Sequence, residues 1–427
     1  MTLPGYLHDV CSSIHPMGVA SPLFRQLPLA QYGLEWVHVP TLIAHPFDDG
    51  SVAVLERTLD ATQDALGVDG DAYRSLVEPY VDRWQDLVHD TLRPIRVPRH
   101  PFLMARFGLQ ALRSAEGLVR SRFSDDRTRA LFAAIAGHCM LPLDWKGTAS
   151  FGLMLCITGH AVGWPLARGG SRSIARALAD YLRELGGVIE TDSAVTDIRE
   201  LPPARATLFD VTTQQFLRIA GDRLPHGYRR QLERFRYGPG VFKIDWALSE
   251  PVPWLNRRCS ETAVVHVAGS FEEVLVSERG PWEGRDVERP FVLVVQPSLF
   301  DATRAPAGRH VGWAYCHVPH GSTLDMTEAI EAQVERFAPG FRDTILHRHV
   351  MNTADLEAHN NNLVGGDINA GAQNLQQLFF RPVPRWNPYA TPVPGLYLCS
   401  AATPPGGAVH GMCGLHAANT ALKRSFS

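Results

Sequence analysis

The sequence lacks the signals of several common functional classes. It has no basic run, and its 41 Lys and Arg residues are balanced by 44 Asp and Glu residues, which gives a net charge of −3. Nucleic-acid binding needs a clustered cationic surface, so the sequence predicts no nucleic-acid partner. Neither a G-x-S-x-G elbow nor an H-E-x-x-H pair occurs, and the usual hydrolase motifs are therefore absent.

Cysteine is sparse and shows no pairing pattern. The seven cysteines are scattered and form no C-x-x-C pair, which is typical of reduced thiols in a cytosolic protein. The segment Cys316-His317-Val-Pro-His320 has no second ligand pair, so we predict no metal site. The first nine residues have neither a basic region nor an apolar core, so we expect no signal peptide there and a cytoplasmic location.

One segment is uncharged over a length that could span a bilayer. Residues 147–167 contain no Asp, Glu, Lys or Arg. Four glycines, a histidine and a proline interrupt the run, which favours a buried helix near a ligand cavity over a transmembrane helix. Residues 102–119 mix apolar and basic residues. They are predicted to form a cap helix on the core, with a membrane-surface helix as the alternative.

The order of the remaining patterns indicates two domains. The first third is mostly helical. Residues 172–220 read as part of an α/β unit, with helices at 172–185 and 213–220 and strands at 188–190, 194–198 and 206–211. Residues 241–318 read as a mainly antiparallel sheet without a long helix, and a helix follows at 327–337. An extended segment and a helix end the chain, which returns it to the α/β part. We predict a cofactor-binding domain from residues 1–15, 165–225 and 365–427, and a substrate domain from residues 16–164 and 226–364.

The C-terminal segment carries the strongest chemical signal. Residues 386–422 contain no charged side chain apart from histidine. A short apolar strand is followed by Gly406 and Gly407, which allow backbone to approach a planar ligand. A helix beginning near Gly411 would point its free N–H groups at that ligand, and its dipole would stabilise negative charge on a reduced flavin. A glycine-rich turn before a packed helix is the simpler alternative.

This segment resembles the FAD motif of the phytoene desaturase-like oxidoreductases, which include retinol saturase and the pyridine nucleotide-disulfide oxidoreductase domain proteins. The matching runs are His8-Asp-Val-Cys-Ser-Ser-Ile-His-Pro16, Val364-Gly365-Gly366-Asp367-Ile368, Gln377-Leu-Phe-Phe-Arg-Pro-Val383, Gly395-Leu-Tyr-Leu-Cys399, Pro404-Pro405-Gly406-Gly407 and Val409-His410-Gly411-Met412. The resemblance implies an α/β plus α+β architecture: a Rossmann-like FAD-binding domain with an inserted substrate domain of antiparallel sheet and helical cap. The FAD-binding residues that it implies are Val195, Ser400, Ala401, Pro405, Gly406, Gly407, Val409, His410, Gly411 and Met412.

The sequence departs from that family in one respect. The family opens with a βαβ unit whose G-x-G-x-x-G loop holds the FAD pyrophosphate, and no such motif occurs here. The Rossmann-like domain is therefore predicted to be incomplete. Three explanations stay open: a misplaced start or truncation, a unit supplied by another chain, or a degenerate relative that binds FAD weakly.

Two residues are candidates for catalysis. Lys243 lies on a predicted strand with Asp245 on the same face, and resemblance to the related amine oxidases implies that it faces flavin N5 through a water. A solvated Lys243–Asp245 face is the alternative. His410 lies within the glycine loop, where it would donate a hydrogen bond to the flavin or move a proton, or else serve as a structural histidine.

These observations lead to two hypotheses. In the first, a FAD-dependent enzyme transfers a hydride between the flavin and a C–H or C=C bond of an apolar, isoprenoid-type substrate. In the second, a non-catalytic relative acts through protein contacts. A lipid substrate would favour peripheral membrane contact, and the oligomeric state is left open.

Overall fold

The first part of the chain supplies most of the helices and two strands of the main sheet. The computed structural model describes residues 2–426. Its first elements are α1 (Pro16–Ala20), β1 (Trp36–Val37), β2 (Thr41–Pro46), β3 (Val52–Glu56), α2 (Leu59–Ala65), α3 (Gly70–Val81), α4 (Trp84–Thr91), α5 (Pro101–Ala111), α6 (Ala115–Arg122), α7 (Asp126–Ala136) and α8 (Ala149–Val162). The helical character predicted for this region is confirmed, but the single helix predicted at residues 102–119 is wrong: α5 and α6 are separate helices, and residues 112–114 lie between them. The sequence missed β2 because this strand is buried along its whole length and so shows no alternation of polar and apolar residues.

The uncharged run of residues 147–167 forms the buried helix that the sequence favours. Helix α8 covers 14 residues, and those facing the core include Gly152, Leu153 and Ile157. Gly152 lies so close to Phe132 that an added Cβ would be 2.7 Å from the phenyl ring, so the glycine permits close packing on α7. Within residues 2–426, no helix combines the length and the hydropathy needed to cross a bilayer.

The next elements are short and lie apart from the main sheet. They are β4 (Leu166–Ala167), α9 (Arg172–Glu184), β5 (Thr207–Phe209), α10 (Thr213–Ala220) and α11 (His226–Glu233). Helices α9 and α10 are confirmed. The strands predicted at residues 188–190 and 194–198 are wrong: most of this segment is non-regular chain, with a 3₁₀ turn at Ile198–Glu200, and Val188 is 82% exposed. A β-strand needs a hydrogen-bonded neighbour, and no strand of the described chain pairs with this segment.

The predicted antiparallel sheet is confirmed and is larger than expected. Its region contains β6 (Gly240–Leu248), β7 (Thr262–Val267), α12 (Phe271–Arg279), β8 (Val292–Val295), β9 (His310–Val318), α13 (Thr327–Phe337), β10 (Ile345–Met351) and α14 (Thr353–His359). The seven strands are ordered β10-β6-β9-β8-β7-β2-β3, and all neighbours are antiparallel except β2 and β7. The sequence missed α12, although Ser270 and Glu273 form a capping box at its start.

Both faces of this sheet are covered. One face packs on α13, where Phe242, Ile244 and Trp246 meet Ile330 in one apolar cluster. The other face, called here the inner face, packs on the layer that contains α7, α8 and α12. Across the inner face one row of side chains runs through four neighbouring strands in register, consisting of Lys243, Tyr315, Leu293 and His266.

The chain ends by returning to β5. The last elements are α15 (Leu375–Phe380), β11 (Leu396–Leu398) and α16 (Met412–Ser425). Strand β11 pairs in parallel with β5, and together they form a separate two-stranded sheet. The predicted final helix is confirmed, with Gly411 at its N-cap in the left-handed conformation at φ +66°.

Candidate active site

The loop of residues 399–411 leaves β11 and ends at the start of α16. It contains or adjoins all the candidate cofactor residues except Val195: Ser400, Ala401, Pro405, Gly406, Gly407, Val409, His410, Gly411 and Met412. The hydroxyl of Ser400 donates a hydrogen bond to the carbonyl of Val211 at 2.7 Å, which fixes the start of the loop to the chain after β5. Val195 lies elsewhere, half-buried on the exposed segment that follows α9.

A buried arginine, Arg381, stabilises this loop through hydrogen bonds to backbone carbonyls. The guanidinium of Arg381 is fully buried and donates to four backbone carbonyls: Ala401 at 2.7 Å, Ala372 at 3.2 Å, and Gly371 and Gln377 at 3.3 Å. Burial lowers the pKa of Arg381 to about 10. Carbonyl oxygens in a loop have no strand partners, so a buried multivalent donor satisfies them instead.

Asp367 stabilises the neighbouring turn by accepting hydrogen bonds, whereas Arg381 donates them. Its buried carboxylate accepts backbone N–H groups from Gly238 at 2.7 Å, Asn369 at 2.7 Å and Gly371 at 2.9 Å. Burial raises the pKa of this carboxyl group. The sequence marked the runs around Asp367 and Arg381 only by resemblance, and the structure gives both residues a bracing role that sequence reasoning missed.

Two glycines of the loop lie so close to other residues that a side chain would not fit there. At Gly406, where φ is +106°, an added Cβ would lie 2.8 Å from Nη1 of Arg381. At Gly411 it would lie 2.9 Å from Leu23 and Phe24. The exposed residues of the loop are Ala408, Val409 and Gly411, so these are the residues that a ligand can reach directly.

His410 is buried but keeps one ring nitrogen unused. The backbone N–H of Met412 donates to Nδ1 of His410 at 3.1 Å, and the hydroxyl of Ser21 donates to the His410 carbonyl at 2.6 Å. Burial lowers the pKa of His410 to about 4, so the ring is neutral at pH 7 and carries its proton on Nε2. This Nε2–H is buried and has no acceptor within residues 2–426. An unsatisfied buried donor indicates a place for an additional polar group.

Lys243 and Asp245 form a buried ion pair on the inner face. They are 3% and 5% exposed, so the alternative of a solvated face is wrong. Burial lowers the pKa of Lys243. The carboxylate of Asp245 lies 3.6 Å from the ring of His8 and 3.8 Å from that of His349. The Lys243 ammonium lies 5.9 Å from the centre of the Trp313 ring.

Polar atoms without partners surround this ion pair. Within the part of the chain that the structure describes, no hydrogen bond is made by Asp245 Oδ1, His8 Nδ1, His349 Nδ1 or Trp313 Nε1, although all four atoms are buried. Buried polar atoms are normally satisfied by protein or ordered water. The group is therefore suited to hold a small polar molecule next to the Lys243 ammonium.

A second buried ion pair sets the position of His8. Arg304 and Asp9 are both buried, and Nη2 of Arg304 donates to the Asp9 carboxylate at 2.6 Å. Asp9 also accepts the backbone N–H of Ser171 at 2.7 Å at the start of α9. Arg304 donates to the carbonyl of Leu7 at 3.1 Å and accepts the Leu7 N–H at 2.8 Å. The chain on both sides of His8 is thus fixed.

One N-terminal segment joins the two candidate catalytic residues. Its residue His8 lies beside Asp245, and its residue Ser21 holds the carbonyl of His410. Between them, His15 contacts the hydroxyl of Ser171 at 3.0 Å. Lys243 and His410 are therefore linked through residues 8–21, of which the sequence identified residues 8–16 only as a matching run.

Known proteins resemble this chain in sequence. It is 34% identical over 181 residues to rat pyridine nucleotide-disulfide oxidoreductase domain-containing protein 2, an alignment that covers 40% of this chain and 29% of that protein. The mouse protein of the same name is 27% identical over 318 residues, covering 64% and 53%. Phytoene desaturase (neurosporene-forming) of Rhodobacter capsulatus is 24% identical over 339 residues, covering 73% and 63%. The chain is a relative of the phytoene desaturase-like oxidoreductases. No family model matches it, and its matches span between 29% and 63% of the lengths of these curated relatives.

Solved structures confirm the predicted fold class for this phytoene desaturase relative. An oxidoreductase from Methanosarcina mazei has a TM-score of 0.61 at 15% identity, covering 97% of this chain and 90% of that one. An engineered putrescine oxidase has a TM-score of 0.56 at 13% identity, covering 95% and 87%. Cyclohexylamine oxidase from Brevibacterium oxydans has a TM-score of 0.52 at 11% identity, covering 93% and 83%. The fold is therefore of the amine oxidase type, with a Rossmann-like α/β part.

The inner face of the phytoene desaturase relative also carries buried histidines that sequence reasoning missed. Nε2 of His138 lies 3.2 Å from Nε2 of His266, and Nδ1 of His317 lies 2.9 Å from both carboxylate oxygens of Glu278. Cys316 and His317 point to opposite faces of β9, so the two side chains do not converge on one ion. Within residues 2–426, no group of three or more His, Cys, Asp or Glu residues has the arrangement of a metal site.

Burial keeps the imidazoles of His138, His45 and His266 neutral. It lowers the pKa of His138 to about 3 and that of His45 to about 4, and it lowers the pKa of His266 well below its usual value. Burial likewise lowers the pKa of His8 to about 3. The folded protein therefore resists protonation at these sites, whereas an unfolded chain takes up protons near pH 6.5.

Replacing Arg304 is expected to destabilise the protein strongly. The change Arg304→Ala leaves the Asp9 carboxylate buried without its counter-ion, which costs about 3–5 kcal/mol of unfolding free energy. Chemical denaturation followed by circular dichroism measures this loss. The matched change Arg342→Ala removes a surface ion pair with Glu328 and is expected to cost about 1 kcal/mol or less. Equal losses of unfolding free energy in the two variants would contradict the stabilising role assigned to the buried Arg304–Asp9 ion pair.

Acid is expected to destabilise the protein through its neutral buried histidines. Because the folded pKa values lie below the unfolded value, the unfolded chain binds more protons below about pH 6.5, and the unfolding free energy falls as the pH is lowered. His138→Leu should reduce the slope of unfolding free energy against pH, between about pH 6 and about pH 4, by up to about 1.4 kcal/mol per pH unit. Denaturation curves over this range measure it. An unchanged slope, or an equal change in the exposed-site control His226→Leu, would count against the argument.

Proposed function

We propose that this chain is a FAD-dependent oxidoreductase that moves a hydride between flavin N5 and a C–H or C=C bond of an apolar substrate. The loop of residues 399–411 carries the proposal. Arg381 and Ser400 hold the loop, and His410 keeps a buried Nε2–H donor that no described acceptor meets. The rim of a flavin ring is rich in acceptor atoms, so it suits such a donor. Bound FAD would supply the hydride chemistry at N5.

The start of α16 fits the same half of the cofactor. Helix α16 begins at Met412, directly after His410 and Gly411, and has no acidic residue in its first turn. Its free N–H groups and positive dipole end favour negative charge nearby. Together with the neutral His410 donor, they would stabilise the charge of a reduced ring without a positively charged side chain.

Lys243 would hold or move a proton in this site. Burial lowers its pKa, so less free energy is needed to deprotonate it than for an exposed lysine. Asp245 holds the ammonium in place, and the unpartnered atoms of His8, His349 and Trp313 would orient a water next to it. This arrangement suits general acid–base work on a bound water.

An apolar substrate suits the inner face of the sheet. Helix α8 is uncharged and packs with the inner face in one large apolar cluster that includes Trp313 and Tyr315. Such surroundings exclude water and favour substrates with hydrocarbon character. The name of the bacterial relative, phytoene desaturase, supports an isoprenoid as the substrate class.

One observation supports a second candidate function. Leu182 of α9 is 45% exposed, and Leu185 and Val188 after the helix are 66% and 82% exposed, although α9 has the apolar face of a packed helix. Exposed apolar faces often mark protein contacts. The chain would then be a relative that binds FAD weakly and acts through another polypeptide.

The purified chain is expected to bind oxidised flavin. FAD added in excess and removed by gel filtration should leave a visible flavin spectrum with the protein, and titration by fluorescence gives the Kd. His410→Phe removes the Nε2–H donor and is expected to raise the Kd by about tenfold, the effect of one lost hydrogen bond of about 1.4 kcal/mol.

A matched change and a second ligand make the flavin test specific. His226→Phe, at an exposed site on α11, should leave the Kd unchanged. FMN should bind about as well as FAD if only the flavin half is held by the loop. A wild-type chain that stays colourless with both ligands would favour the second candidate function.

Loss of Lys243 is expected to slow the flavin chemistry without preventing binding. In Lys243→Met, dithionite-reduced flavin on the protein should reoxidise in oxygen about 10²-fold more slowly, because a positioned acid–base group is lost. Stopped-flow absorbance measures the rate, and the pH profile should lose the inflection that Lys243 contributes. The exposed-site change Lys146→Met is the control. Unchanged rate and pH profile in Lys243→Met would refute the assigned role.

A further inference from the structure

The loop before α5 and the outer side of α5 expose an unusual number of apolar side chains. Phe102 is 90% exposed, Val97 is 87% exposed and Leu109 is 73% exposed, while Ile95 and Leu112 are about half exposed. These five residues are called here the apolar face. Single exposed apolar residues are common on proteins, but five within eighteen positions form a patch of the kind that binds a partner or a membrane.

Folding does not require this face. The inner side of α5 buries Leu103, Phe107 and Ala111 in the core, and α5 packs on α8 through that side. Phe102 and Leu109 lie on the other side of the helix and contribute little to that packing. Their apolar character therefore has another cause.

The charged residues in the segment that carries the apolar face are all arginines, while the carboxylates of Asp86 and Asp90 contact His100 at its edge. Residues 91–115 contain five arginines and no Asp or Glu. Arg96, Arg99 and Arg106 are exposed beside the apolar residues, and within residues 2–426 no carboxylate forms an ion pair with any of these three guanidinium groups. The chain as a whole is slightly acidic, so this cationic surface is a local feature.

The apolar face lies next to the loop and helix of the candidate flavin site. At one end, the carbonyl of Leu92 accepts a hydrogen bond from His416 of α16 at 3.0 Å. At the other end, the carbonyl of Leu112 accepts the N–H of Gly147, which is in contact with Leu375 of α15. Phe379 lies one turn after Leu375 on α15 and is also exposed, so it extends the patch on that side.

We propose that the apolar face and its arginines dock the protein on an anionic lipid bilayer. Val97 and Phe102 would enter the boundary between headgroups and acyl chains, and Arg96, Arg99 and Arg106 would contact lipid phosphates. Charge complementarity selects this partner, because an apolar centre with three exposed arginines at its edge matches a negatively charged surface with an apolar interior. The proposal is independent of the flavin chemistry, since vesicle binding requires neither cofactor nor substrate.

Vesicle flotation of the full chain tests the proposal. Wild-type protein should float with vesicles of phosphatidylcholine and phosphatidylglycerol, and added salt should weaken the binding. Val97→Asp combined with Phe102→Asp should lower the bound fraction about tenfold or more. Val68→Asp combined with Leu255→Asp is the matched control, because these side chains are 81% and 63% exposed outside the apolar face. The control should bind as wild type does.

A second pair of changes separates charge from insertion. Arg96→Gln combined with Arg99→Gln should reduce binding to the anionic vesicles and leave any binding to pure phosphatidylcholine unchanged. All replaced side chains are exposed, so thermal unfolding should match that of wild type. Absence of vesicle binding, or equal binding by Val97→Asp/Phe102→Asp, overturns the proposal. The proposal is also overturned if light scattering shows a wild-type dimer that dissociates in the Val97→Asp/Phe102→Asp variant, because the face would then bind a second copy.

Discussion

The buried ion pair between Arg304 and Asp9 is the contact on which the rest of the site depends. Removing two charges from water is costly, and the cost is offset here only because Asp9 also caps α9 and Arg304 also binds the backbone of Leu7. These bonds join three distant parts of the chain at one point. As a consequence His8, which lies between Leu7 and Asp9, is held against Asp245 and completes the polar group around Lys243.

The loop of residues 399–411 is likewise held in place by buried charged side chains. Strands β5 and β11 form only a two-stranded sheet in the described chain, so few backbone groups of this region find partners in a ladder. Buried charges take their place: Arg381 satisfies carbonyls on one side and Asp367 satisfies N–H groups on the other. Gly406 follows from this arrangement, because a side chain there would collide with Arg381. The rigidity of the loop thus depends on side chains outside it.

Local patterns made the helices and the main sheet predictable, whereas long-range contacts decided the rest. The alternation in residues 240–248 and the breaks around residues 327–337 predicted β6 and α13 well, since these depend on near neighbours. Strand β2 was missed because it is buried on both faces. The segment after α9 was wrongly predicted as strands because its local pattern is extended, although no strand of the described chain pairs with it. The run around Val409 and His410 identified the loop. The roles of Arg304 and Arg381 could not be predicted, because each acts on residues far away in the sequence.

Burial also determines which atoms of the site are left to act. His138 and His45 on the inner face are neutral because burial lowers their pKa, so the proton positions on their rings are fixed by neighbouring donors and acceptors. At His410 the backbone N–H of Met412 occupies Nδ1 and leaves Nε2–H as the free donor. At Lys243 the ion pair with Asp245 uses one carboxylate oxygen and leaves the other without a partner. The free atoms next to Lys243 and at His410 thus lie at the two ends of residues 8–21, which is where a water and a ring edge would be held.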